Sequence, residues 1–116
     1  MLPRLLSPAA PPALVARVRA MILDAPLDGV LAAQRGLAER PDRAALLRSF
    51  GGPFLAVGGE FDPVTPPAEI EALAGTARRG RAVIVPGAGH LPGLEHPEVF
   101  RRGFATLRAG ALPPRP

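Results

Sequence analysis

Two short apolar runs, residues 54–57 (Phe-Leu-Ala-Val) and 82–85 (Ala-Val-Ile-Val), constrain the fold of this chain more than any other feature. Each run is too short for a typical helix and is bounded by turn-forming or charged residues, so each is predicted to be a buried strand. Apolar residues at helical spacing between positions 70 and 77 predict a helix that joins them. Two buried strands with a helical connection pair in parallel by a right-handed crossover, so the predicted fold class is α/β.

The first 50 residues are predicted to form helices rather than strands, after an irregular start. Residues 1–12 contain four prolines and are predicted to be irregular. A helix of about 11 residues is predicted to end before Pro26. Asp28 is expected to cap a second helix over 29–40, and Asp42 a short third one. The predicted organisation is a helical segment over 1–50, a β-α-β-α unit over 51–110 and a disordered tail over 111–116.

Two further helix starts are predicted in the second half. Thr65 is expected to cap the helix that joins the two strands, with Pro66 at its first position. Pro97 is expected to open the last helix, in which Phe100, Phe104 and Leu107 share one face.

Composition excludes several classes of function. The chain has no Cys, so it forms no disulfide or thiolate zinc site and has no Cys nucleophile. Its 14 basic residues are all Arg, the formal net charge is only +4, and no aromatic residues interleave the two short Arg clusters. Nucleic acid is therefore not an expected partner. The apolar runs are too short for a membrane-spanning helix or the core of a signal peptide, which predicts a cytoplasmic protein without a membrane partner.

Ionisable residues follow each predicted strand at its carboxyl end. Glu60 and Asp62 lie after the first strand, and His90 lies after the second. Neighbouring strands lie about 5 Å apart, so an Asp and a His at adjacent strand ends can form a hydrogen bond that fixes the imidazole tautomer. Such residues are also common in ordinary turns, which keeps a purely structural role open. His90 and His96 are not spaced as a pair of metal ligands, and no metal or cofactor is expected.

Two stretches resemble the α/β-hydrolase family. Residues 53–67 (PFLAVGGEFDPVTPP) resemble the strand and loop that bear its acid, and residues 82–100 (AVIVPGAGHLPGLEHPEVF) resemble its final strand, His loop and last helix. The likeness extends over about residues 1–109, and the helical first segment is similar to the family's cap. It implies that Asp62 is the triad acid, with Glu60 a less favoured choice, and that His90 is the general base. The small esterases, lactonases and haloperoxidase-like hydrolases are the most similar members.

The nucleophile of that family is absent from these residues. The family places its serine in a Gly-x-Ser-x-Gly turn, and neither Ser7 nor Ser49 lies in one. The resemblance therefore implies the C-terminal half of the fold, in a truncated hydrolase that keeps acid and base and is inactive alone. The expected partners are an ester-type small molecule in the full-length family, a second copy through self-association, or a complementing N-terminal half. A non-enzymatic partner-binding module and half of a split hydrolase remain the alternatives.

Overall fold

A computed structural model of the protein describes residues 2–114. Nine elements follow one another within these residues. They are α1 (Leu2–Leu5), α2 (Pro12–Leu23), α3 (Leu27–Ala38), α4 (Ala44–Ser49), β1 (Pro53–Gly59), α5 (Pro67–Thr76), β2 (Arg79–Val85), α6 (Pro92–Glu95) and α7 (Pro97–Arg108). No helix within the described residues has the length and apolar character needed to cross a bilayer.

The two strands form a parallel sheet, which confirms the α/β prediction. Their register runs from Pro53 opposite Arg79 to Gly59 opposite Val85. Helix α5 makes the crossover and packs on both strands. The buried apolar side chains of the described chain are mostly small. They are Leu6, Val18, Ala56, Ala74, Ala77, Val85 and Ala88.

The helical first segment packs loosely in the structure. Helix α3 has no buried residue, and Val30 and Leu37, predicted on its apolar face, are 43% and 57% exposed. Its N-cap is Pro26, so the prediction that Asp28 caps this helix is wrong. Asp28 instead lies in the first turn, where a carboxylate interacts favourably with the helix dipole. The N-cap of α4 is Arg43, so the prediction that Asp42 caps this helix is also wrong, although Asp42 accepts a hydrogen bond from the Ala44 backbone N–H at 2.8 Å.

The N-terminal segment and the loop after β2 differ from the prediction. Helix α1 lies in the region expected to be irregular, and the single-turn helix α6 was not predicted. Helix α7 begins at Pro97, as predicted. The predicted tail, 111–116, falls partly outside the described residues, which stop at 114. Within the described part, Leu112 and Pro113 are half-buried in a cleft beside Leu55 of β1.

Candidate active site

The parallel register brings two loops together at the carboxyl end of the sheet. The backbone N–H of Glu60 donates to the Val85 carbonyl at 3.1 Å, and that of Phe61 donates to the Ala88 carbonyl at 2.8 Å. The two loops are so close that a Cβ atom on Gly59 would clash with the carbonyl oxygens of Ala88 and Gly89. Glycine at position 59 therefore allows the loop after β1 to touch the loop that carries the histidine.

Asp62 and His90 meet across these loops. The Nδ1 atom of His90 lies 2.9 Å from Oδ2 of Asp62. The Asp62 side chain is almost fully buried, whereas 30% of the His90 side chain is exposed. An ionised carboxylate can only accept a hydrogen bond, so Nδ1 carries the proton. The neutral ring then presents an unprotonated Nε2 on its opposite side, which is the form that can remove a proton from a hydroxyl.

Thr65 is a third member of the arrangement. Its hydroxyl donates to Oδ2 of Asp62 at 2.6 Å and lies 3.5 Å from Nδ1 of His90. The prediction that Thr65 caps α5 is wrong, because the N-cap is Pro66 and the helix begins at Pro67. The sequence carries no comparable signal for this hydroxyl contact, since the common Asp pattern is to bind the backbone, not a side chain, two or three residues further on.

Two backbone groups complete the surroundings of the Asp62 carboxylate. Its Oδ1 atom accepts hydrogen bonds from the N–H of Val64 at 2.8 Å and of Thr65 at 3.0 Å. Burial by itself raises the pKa of Asp62. The hydrogen bonds from Thr65, His90 and Val64 outweigh that effect and lower the pKa to about 2. Asp62 is therefore a carboxylate throughout the neutral range.

The other candidate residues have different partners. Oε2 of Glu60 accepts a hydrogen bond from the Gly87 N–H at 2.8 Å, which ties the two loops together. The Ser49 hydroxyl donates to the Leu46 carbonyl at the end of α4. Ser7 is buried, and its N–H donates to Glu95. His96 pairs with Glu98 at 3.4 Å on the surface.

Comparison with known proteins decides the family. The family model described as TAP-like protein, within the α/β-hydrolases, matches residues 33–97, which is more than half of the chain and includes both Asp62 and His90. The chain belongs to the α/β-hydrolase family. The structure of this chain is consistent with a fragment of that fold, as predicted.

Several similar proteins are esterases that are much longer than this chain. A solved thermophilic esterase from Thermogutta terrifontis is 42% identical, with a TM-score of 0.85, over 90% of this chain and 40% of its own. A pimeloyl-acyl-carrier protein methyl ester esterase from Stenotrophomonas maltophilia is 30% identical over 84% of this chain and 38% of its own. The enzyme of the same name from Neisseria meningitidis is 36% identical over 65% of this chain and 29% of its own. The chain thus spans about a third of the length of these relatives.

Proposed function

We propose that this chain supplies the acid and the base of an ester-hydrolysing serine hydrolase. The observation that carries the proposal is the 2.9 Å contact between the buried Asp62 carboxylate and the partly exposed His90 ring. A carboxylate that accepts the Nδ1 proton orients the ring and stabilises its positive charge when Nε2 takes up a second proton. The esterase relatives favour a carboxylic ester as the substrate class.

The proposed reaction uses His90 twice. Its Nε2 atom first removes the proton of a serine hydroxyl, and the serine oxygen attacks the ester carbonyl. The protonated ring then donates that proton to the leaving alcohol as the C–O bond breaks and an acyl-enzyme forms. In the second half, Nε2 removes a proton from water, which attacks the acyl-enzyme, and the ring returns the proton to the serine. Asp62 stays ionised throughout, in agreement with its low pKa.

We further propose that the serine comes from a polypeptide segment other than residues 1–116. Ser7 and Ser49 are the only serines of this sequence. Neither has both flanking glycines that expose a nucleophile on a sharp strand-to-helix turn, since Ser7 has none and Ser49 has only Gly51. The Ser49 hydroxyl is moreover engaged with the Leu46 carbonyl. The 116-residue chain alone is therefore expected to be a hydrolase part without hydrolase activity.

An assay of the purified 116-residue chain tests this expectation. A fluorophosphonate probe, which reacts with activated serines, should label neither Ser7 nor Ser49. Hydrolysis of a simple alkyl ester should proceed at the same rate with the wild-type chain and the His90→Ala variant. A labelled serine, or hydrolysis that is faster with wild type than with the variant, would contradict the proposed lack of activity. A full-length α/β-hydrolase with a reactive serine serves as the positive control for the probe.

A further inference from the structure

The Glu95 side chain connects the histidine loop to the N-terminal part of the chain. Glu95 is the last residue of α6, five positions after His90. Its Oε1 atom accepts a hydrogen bond from the N–H of Gly89 at 2.8 Å, and its Oε2 atom accepts one from the N–H of Ser7 at 2.9 Å. Both contacts are partly buried, where a hydrogen bond to a charged acceptor is strong. One carboxylate therefore binds two backbone segments that are far apart in the sequence.

The histidine loop rests directly on this N-terminal segment. The N–H of Leu91 donates to the Leu5 carbonyl at 3.0 Å. Hydrogen bonds therefore hold the backbone of the residues on both sides of His90. Gly89 lies so close to the segment that an added Cβ atom would be 2.6 Å from the Leu6 carbonyl carbon and 2.7 Å from the Ser7 nitrogen. The backbone at His90 is thus fixed from one side by Glu95 and from the other by Leu5.

We propose that Glu95 is a positioning residue for His90. The imidazole can reach Oδ2 of Asp62 only if the backbone at residue 90 keeps its place, and the carboxylate of Glu95 holds the adjacent N–H of Gly89. A carboxylate has two acceptor oxygens for these two donors, whereas a glutamine amide has one oxygen and would direct an N–H at one of the donors. The role needs the charge and both oxygens of the glutamate. The proposal rests on the Asp62–His90 pair assigned above.

Nuclear magnetic resonance of the 116-residue chain, labelled with nitrogen-15, tests the proposal without any catalysis. The two ring nitrogens of His90 report the ratio of the Nδ1–H tautomer, favoured by Asp62, to the Nε2–H tautomer. Glu95→Ala should lower this ratio about tenfold. The buried N–H of Gly89 then loses its charged acceptor, so the backbone no longer holds the His90 ring against Asp62. Glu95→Gln keeps one acceptor oxygen, so its tautomer ratio should lie between those of the wild-type chain and Glu95→Ala. Glu98→Ala, a matched change at an exposed position three residues further on, should leave the ratio unchanged.

A purely structural role for Glu95 predicts a different result. In that case, replacing Glu95 would speed hydrogen exchange of the sheet amides, such as those of Ala56 and Val83, and would leave the tautomer ratio of the folded chain unaltered. An unchanged tautomer ratio in Glu95→Gln, or in a Glu95→Ala chain that still folds, overturns the role of Glu95 but leaves the Asp62–His90 pair in place. If the wild-type chain itself lacks the Nδ1–H tautomer, the Asp62–His90 pair fails and the role of Glu95 fails with it. A lower ratio in the Glu95 variants, with unchanged Ala56 and Val83 exchange, supports the positioning role.

Discussion

Replacing His90 with alanine is expected to lower ester hydrolysis about ten-thousand-fold in a hybrid enzyme that contains this chain. The hybrid takes the Thermogutta terrifontis esterase and exchanges its region similar to this chain for residues 1–116. The 42% identity and the TM-score of 0.85 favour correct docking of the exchanged part. The effect should be large because the serine of the hybrid then has no base within reach. The measurement is kcat for a short-chain ester, compared with the unsubstituted hybrid.

Matched variants make the hybrid experiment specific to the site. Asp62→Asn is expected to lower kcat by about three to four orders of magnitude, because an amide at that position favours the wrong imidazole tautomer. His96→Ala and Asp28→Asn change the same residue types outside the site and should keep kcat within about twofold, as surface changes usually do. Equal rates for the His90 and His96 variants in an active hybrid would exclude His90 as the base.

Acid is expected to destabilise the chain through Asp62 by about 2 kcal/mol. The pKa of this carboxyl falls from an ordinary value of 3.8 to about 2 in the folded protein. A lowered folded-state pKa means that the unfolded chain takes up the proton first as the pH drops. The stabilisation is therefore complete well above pH 4 and is lost as the pH falls towards about 2. Each pKa unit corresponds to about 1.4 kcal/mol, which gives the stated magnitude.

Urea unfolding at a series of pH values measures this loss. Between about pH 5 and pH 2, the free energy of unfolding of the wild-type chain should fall by about 2 kcal/mol more than that of the Asp62→Asn variant. Thr65→Val should reduce the difference, since it removes a hydroxyl donor that lowers the pKa of Asp62, whereas Thr65→Ser should preserve it. Parallel pH profiles for wild type and Asp62→Asn would show that the carboxylate does not hold its hydrogen bonds in solution.

The contact between Asp62 and His90 could be predicted because it depends on a strong regularity. Two four-residue apolar runs with a helix between them leave little alternative to a parallel pair, and the carboxyl ends of such a pair lie at one edge of the sheet. Residues directly after the strands are then neighbours, although 28 positions separate them in the sequence. The family resemblance assigned roles to both residues; the geometry supports those roles.

Thr65 and Glu95 could not be assigned in this way. A threonine before a proline can cap a helix or bind a nearby carboxylate, and the choice depends on where the buried Asp62 lies in three dimensions. The contact from Glu95 to Ser7 joins residues 88 positions apart, in a segment for which the prolines predicted only irregular structure. Local patterns report periodicity and capping, so a contact between loops is predictable only where, as for Asp62 and His90, the loops follow neighbouring strands.

The ring tautomer of His90 in the wild-type 116-residue chain tests the acid–base assignment most directly. Nitrogen-15 spectra at a pH where the ring is neutral should show mainly the Nδ1–H form, with Nε2 unprotonated. Asp62→Asn should shift the ring towards the Nε2–H form, because the amide N–H donates to Nδ1. A wild-type ring that is mainly in the Nε2–H form, or that does not respond to Asp62→Asn, would contradict the assignment of Asp62 and His90 as acid and base.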